Sequence, residues 1–374
     1  MRILIMVHKL TGGGAERVAA LWIYGFTNHG HDVRVVMNCQ HGTPITYQIP
    51  QYIQKYNLHG NFLISWIVNK LNKWLGIDCY YVKKIRHVLQ DFQPDVAIGV
   101  IQPWAEWTRK AAKGMNLKII NTEHNTFERP SDALYNPMTK ALYREKFKWN
   151  KRYDAVSVLT KVDKSCTEGI LNNVTVLPNP LAYCPVSKLP SKENIILAAG
   201  RLNAWHVKGF DLLVNAWGKI AKQHPCWKLQ IAGSDNEPVR KKLMQIAREK
   251  EVESQIEFLG FQNDMLPLYQ RSSIFVLSSR YEGFGMVLIE AMSQGCAPIA
   301  CDYKGRQSEI ITTEEEGIIC PVCDIVSLAS SLEKMITDEE YRKNVQIKAI
   351  ERSKYYSLER TMDRWEQIFK DLNI

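Results

Sequence analysis

The 374-residue sequence has no Asp-x-Asp pair, no His-Glu-x-x-His and no second Cys-x-x-Cys to accompany Cys320-Pro-Val-Cys323. The first absence removes a common acidic pair for holding a divalent metal on a phosphate, so phosphate charge must be met by other means. The second excludes a helix-borne zinc hydrolase site, and the third leaves Cys320 and Cys323 two ligands short of a structural zinc. No metal is therefore expected. The nine cysteines are odd in number and show no disulfide framework, which fits a reducing compartment. The longest apolar stretches, such as Phe62 to Val68, are too short to span a bilayer. Arg2 to His8 reads as a buried strand without the cleavage region of a signal peptide, so a cytoplasmic location is expected. There is no low-complexity tract and no fixed-period repeat.

What is present suits a globular protein of more than one domain. The hydrophobic share is 45% and the charged share 23%, and the length exceeds the usual range of a single core. Net charge is uneven. Residues 1–185 carry 23 Lys and Arg against 13 Asp and Glu, a net +10, whereas residues 186–374 carry 25 against 26, a net −1. The basic excess gathers at Lys70 to His87 and Lys140 to Arg152, interleaved with Trp66, Trp74, Tyr80, Tyr81, Tyr143, Phe147 and Trp149. Basic helices bearing aromatics suit an anionic membrane surface, so peripheral contact at the inner face of a membrane is a further expectation. The alternative is a solvated helix face.

Apolar, β-branched runs alternate with helix-length segments in two series. In the first half they fall at Arg2–His8, Asp32–Asn38, Asp95–Val100, Lys118–Thr122 and Asp154–Leu159. A last strand at Val174 runs into Pro178, Pro180, Pro185 and Pro190, which punctuate a linker. The second series falls at Asn194–Gly200, Trp227–Gly233, Ile256–Leu259, Ile274–Ser278, Pro298–Cys301 and Gly317–Pro321, with helices expected at 208–223, 237–251, 264–271 and 286–295. Residues 42–92 are less regular, with helices expected around 62–75 and 79–91. Two βαβ series imply two Rossmann-like parallel-sheet domains, whose ligands bind beyond the carboxyl ends of the strands.

Three clusters carry chemistry. Gly12-Gly13-Gly14 follows the first strand and opens a helix, so backbone amides can approach an anion. A dinucleotide fingerprint is not met: it would need glycine where Arg17 stands and an acid where the second strand closes on Met37-Asn38-Cys39. In Ala199-Gly200-Arg201-Leu202 and Lys208-Gly209, a guanidinium and an ammonium emerge at the ligand edge, able to neutralise a diphosphate together. The third cluster is Ser279-Arg280-Tyr281-Glu282-Gly283-Phe284-Gly285-Met286-Val287-Leu288-Ile289-Glu290. It sets two glutamates eight positions apart, the second in an otherwise apolar helix where an unpartnered carboxylate is costly.

The third cluster resembles the glutamate-seven-residues-glutamate motif of the family-4 retaining glycosyltransferases, and Gly-Arg-Leu…Lys-Gly resembles their diphosphate grip. The resemblance implies the GT-B fold: two Rossmann-like domains facing each other across a cleft. Residues 1–182 would then bind acceptor, residues 183–355 would bind nucleotide sugar, and a helix at 356–374 would cross back to the first domain. It implies that Arg201 and Lys208 hold the donor diphosphate and that Glu290 meets the ribose hydroxyls. Glu282 and the amides of Phe284 and Gly285 would surround the transferred sugar, with Gly283 and Met286 also among the donor-binding residues. Gly13 and Gly14 would touch the diphosphate from the first domain. Gly260-Phe261-Gln262 resembles the loop that meets the nucleobase, and His124 falls where the family sets a histidine near sugar or acceptor. Glu282, His124, Arg201 and Lys208 are the catalytic candidates.

The expected activity is transfer, with retention and without metal or other cofactor, of a hexose or N-acetylhexosamine from a nucleotide sugar. UDP-sugars are preferred as donors, and the acceptor would be a glycan or lipid-linked glycan in surface polysaccharide synthesis. A nucleotide-sugar 2-epimerase of the same fold is the nearest alternative. A dinucleotide oxidoreductase is disfavoured by Arg17 and Asn38. A nucleic-acid binder would rest on charge alone and explain neither glutamate, so no nucleic-acid partner is expected.

Overall fold

The structure is a computed structural model; it describes residues 1–40, 42–58, 79–100, 104–127 and 146–374. The expected helix around 62–75 lies outside the described residues. So do Lys70, Trp66, Trp74, Lys140 and Tyr143 of the basic segments. Two compact units form: Met1–Pro180 with Leu358–Ile374, and Leu181–Ser357.

The first unit is built on a wholly parallel sheet of β1 (Arg2–Val7), β2 (Asp32–Met37), β3 (Lys55–Asn57), β4 (Val96–Val100), β5 (Lys118–Thr122), β6 (Ala155–Val158) and β7 (Val174–Val176). Its order is β3-β2-β1-β4-β5-β6-β7. β1 and β4 are buried along nearly their whole length, as a sheet covered on both faces requires. β3 has no counterpart among the expected strands. It is three residues long with Lys55 and Asn57 exposed, so it carries no hydrophobic alternation to read.

The helix Leu358–Asp371 belongs to this unit. It buries Thr361, Met362, Trp365, Ile368 and Phe369, a single helical stripe, against the helix Gly14–Asn28. Trp365 packs edge-on to Trp22 at 5.1 Å and to Phe26 at 5.5 Å. Close approach is allowed by Gly25, where a Cβ would lie 2.5 Å from Met362 Sδ.

The second unit carries a wholly parallel sheet of β8 (Glu193–Ala199), β9 (Lys228–Ala232), β10 (Ile256–Gly260), β11 (Ser272–Leu277), β12 (Ala297–Cys301) and β13 (Ile318–Cys320). The order is β10-β9-β8-β11-β12-β13, so the winding of successive strands reverses between β8 and β11. In open parallel sheets the ligand crevice forms at such a switch, beyond the carboxyl ends. The segments leaving those two strands are Gly200–Gly209 and Ser278–Gly285.

One boundary differs from expectation in a way that matters for the site. The helix expected over 208–223 is broken: Trp205–Lys208 forms one turn, Gly209 turns left-handed at φ 65°, and a new helix runs Phe210–Ile220. Lys208 therefore ends a short helix rather than beginning a long one. A Cβ at Gly209 would lie 1.9 Å from the Ser278 carbonyl oxygen, so this break lets the two ligand-edge segments touch.

Candidate functional site

Within the second unit, Lys208 Nζ donates to Glu282 Oε2 at 2.6 Å, and both side chains are largely enclosed, 22% and 15% exposed. Ser279 Oγ approaches the same oxygen at 3.4 Å. The cation following β8 and the carboxylate following β11 are thus direct partners, although 74 residues separate them. Arg201 stands on the same edge, exposed at the end of β8, and no hydrogen bond to its guanidinium occurs among the described residues. A Cβ at Gly200 would sit 3.2 Å from the Lys208 side chain, so the glycine makes room for the ammonium stem.

The Gly283-Phe284-Gly285 turn leads into the helix Met286–Ser293. Gly285 is left-handed at φ 94°, and a Cβ there would meet Leu277 at 2.9 Å. Phe284 is buried against Tyr356 at 5.6 Å and its carbonyl accepts from Gln307 Nε2, which holds the turn in place. Four residues into the helix, Glu290 is only 2% exposed, and Tyr269 Oη donates to its Oε2 at 3.1 Å. That phenol answers the cost of an enclosed carboxylate. Gln262 turns its amide back onto the Leu259 carbonyl at 2.7 Å and so braces the loop after β10. Phe261 beside it is exposed.

The first unit, taken by itself, carries two of the elements singled out in the sequence. Gly13 is the extended residue before the helix that begins at Gly14, and Tyr47 Oη donates to its carbonyl at 2.9 Å. The Glu16 carboxylate folds back over this loop, so close that a Cβ at Gly13 would lie 1.8 Å from Glu16 Oε2. An acid in the first turn favours the helix start, and an approaching phosphate would have to displace it.

His124 follows β5 and is half-buried, its ring 5.6 Å from Trp22. Thr122 Oγ1 donates to the Gly99 carbonyl at 3.0 Å, which commits its proton. Its contact with His124 Nε2 at 3.2 Å is therefore one in which the imidazole N–H donates. Nδ1 is enclosed and has no hydrogen-bond partner among the described residues. Burial pushes the imidazole down to about 4, against the opposing pull of Glu123 and Asn179. His124 is therefore neutral at pH 7.

The loop bearing His124 is anchored by a buried polar cluster that sequence reasoning missed. Glu123 pairs with Lys146 at 2.9 Å and accepts from Asn121 at 3.0 Å and Asn150 at 2.8 Å. Lys146 lies in one of the two basic segments, so its charge is spent inside. Others are engaged likewise: Lys84 donates to the Leu58 carbonyl, Arg86 to the carbonyls of Ala111 and Lys113, and Arg152 to Glu106. Tyr269 and Asp211 were also missed, and Arg280, quoted within the third cluster, had no role; Arg280 and Asp211 form a bidentate pair at 2.7 Å and 2.7 Å. Nothing local in the sequence marks these partners. The eight cysteines with described side chains are free thiols, Cys320 buried and Cys323 exposed. Among the described residues no three His, Cys, Asp or Glu side chains gather as metal ligands would. No described helix is long and apolar enough to cross a membrane.

The family described as "Glycosyl transferases group 1" matches residues 183–352, and the one described as "Glycosyltransferase Family 4" matches residues 12–181. An uncharacterized glycosyltransferase of Methanocaldococcus jannaschii is 34% identical over 382 residues, covering 90% of this chain and 88% of its own. A Campylobacter jejuni alpha-1,4-N-acetyl-D-galactosaminyltransferase, named for a diphospho-undecaprenol-linked glycan, is 24% identical and covers 100% of this chain and 99% of its own. Among solved structures, Anabaena HepE in complex with UDP-glucose superposes with a TM-score of 0.74 at 16% identity, over 100% of this chain and 99% of that one. That likeness shows the shared fold. With two parallel Rossmann-like units and a family match to each, the chain belongs to the family-4 glycosyltransferases of the GT-B fold, and it is a transferase enzyme.

Proposed function

We propose that this enzyme transfers a hexose or N-acetylhexosamine from a nucleotide sugar, a UDP-sugar by preference, to a glycan or lipid-linked glycan in surface polysaccharide synthesis. Transfer proceeds with retention of anomeric configuration and without a metal. The observation that carries this reading is the Lys208–Glu282 pair at the switch point between β8 and β11, with Glu290 held inside the following helix. The Campylobacter relative's lipid-linked substrate and the UDP-glucose bound to HepE support the acceptor and donor classes.

Cleaving the bond between the anomeric carbon and the phosphate oxygen leaves negative charge on the nucleoside diphosphate and positive charge on the sugar ring. Arg201 and Lys208 are the cations that would meet the departing diphosphate, assisted by the amides at the start of Met286–Ser293. As the diphosphate takes Lys208, Glu282 is released to accept from sugar hydroxyls, and Glu290 accepts from the ribose. The acceptor oxygen bonds to the anomeric carbon, and its proton passes to the leaving phosphate oxygen.

Thermal shift with a panel of UDP- and GDP-sugars in EDTA, then product analysis with the best donor and a lipid-linked acceptor, tests the proposal. A stabilising UDP-sugar and an acceptor-dependent α-glycoside are expected. No response to any nucleotide sugar, or conversion of donor to an epimer without acceptor, would overturn it.

A further inference from the structure

The short helix Trp205–Lys208 ends in three carbonyls, and each is taken by the segment that carries Glu282. Arg280 Nη1 donates to the His206 carbonyl at 2.7 Å, the Arg280 amide to the Val207 carbonyl at 2.8 Å, and Ser278 Oγ to the Lys208 carbonyl at 2.9 Å. Only the His206 carbonyl also has a local donor, the Gly209 amide at 3.2 Å, so the orientation of this one-turn helix depends on the neighbouring strand's loop. Arg280 then reaches past the helix end to Asp211, on the first turn of Phe210–Ile220, with two parallel bonds of 2.7 Å. Both side chains are about one-fifth exposed. Bidentate guanidinium–carboxylate pairs fix both distance and plane, which a lysine cannot do. The hydrogen bonds to Asp211 raise the Arg280 pKa further, so the charge is permanent.

We propose that Arg280 and Asp211 are a positioning pair. Together they lock the left-handed turn at Gly209 and so aim Lys208 and Glu282 at the donor diphosphate and sugar. Neither residue touches donor in this assignment; they act through the Trp205–Lys208 helix. The inference rests on the donor reading of Lys208 and Glu282 given above.

The full chain carrying Arg280→Met, Arg280→Lys, Asp211→Asn or the double change Arg280→Met with Asp211→Asn is compared with wild type. UDP affinity is measured by calorimetry, turnover by sugar transfer and folding by thermal denaturation. A loss on the order of 10- to 100-fold in kcat is expected for each single variant, as sub-ångström misplacement of reacting groups produces. UDP affinity should fall in parallel, while most of the chain stays folded at the assay temperature. Arg280→Lys should not recover the loss, and the double variant should be no worse than either single one, because the two act as a unit. Variants that melt earlier but keep wild-type kcat and UDP affinity while folded would reduce the pair to a stabilising contact and overturn the inference. Wild-type protein that ignores UDP would remove the donor reading itself, and this inference with it.

Discussion

The Lys208 ammonium and Glu282 carboxylate neutralise each other at 2.6 Å in the site as it stands, and under the proposed donor role this sets how the site would respond. A diphosphate offers more negative charge than one carboxylate, so it can compete for the lysine and free Glu282 for the sugar. His124 makes a separate prediction. Its folded pKa, about 4, lies below the ordinary histidine value because burial disfavours the imidazolium. A depressed folded value means that its contribution to stability is complete above about pH 6.5 and is lost as pH falls toward 4. Melting temperature of wild type should therefore decline between these pH values more steeply than that of His124→Gln. Parallel curves would refute the neutral, enclosed imidazole.

At the scale of elements, the C-terminal helix is joined to the first unit by aromatic packing. Trp365 is fully buried between Trp22, Phe26 and Phe369. Truncating it opens a cavity that the surrounding rings cannot fill, so Trp365→Ala should cost about 3–5 kcal/mol in denaturant unfolding. A loss below ~1 kcal/mol would mean that the helix is not docked as described. The alternation of strands and helices was legible because parallel strands buried on both faces read as short apolar runs. β3 was not, since its three residues carry no such run. The break at Gly209 was hidden too: the apolar pattern continues across it, and the carbonyl that demands a glycine comes from Ser278, in a distant stretch of sequence. In the same way Lys208 and Glu282 stood out by motif and spacing. Tyr269, Asp211 and Glu123 did not, because their meaning lies in partners brought by other strands.

For the whole molecule, charge is segregated by half, with a net +10 over residues 1–185 and −1 over residues 186–374. Several of those cations are already spent on carbonyls and carboxylates, which weakens a surface field without abolishing it. If the remainder draws the enzyme to an anionic bilayer, flotation with phosphatidylglycerol vesicles should be strong at low ionic strength. It should fade as salt shortens the Debye length to about 8 Å at 0.15 M. Absence of flotation even at low salt would remove membrane contact from the account.

Cationic side chains doing the work of a metal is the claim on which the proposed donor chemistry depends. Calorimetric titration of UDP in EDTA, into wild type and into Lys208→Ala and Arg201→Ala, measures it directly. Wild type should bind without added metal, and each substitution should weaken binding about 10- to 100-fold, the worth of a charge-assisted hydrogen bond. UDP binding that appears only with Mg²⁺ or Mn²⁺, or that is indifferent to both substitutions, would contradict the account.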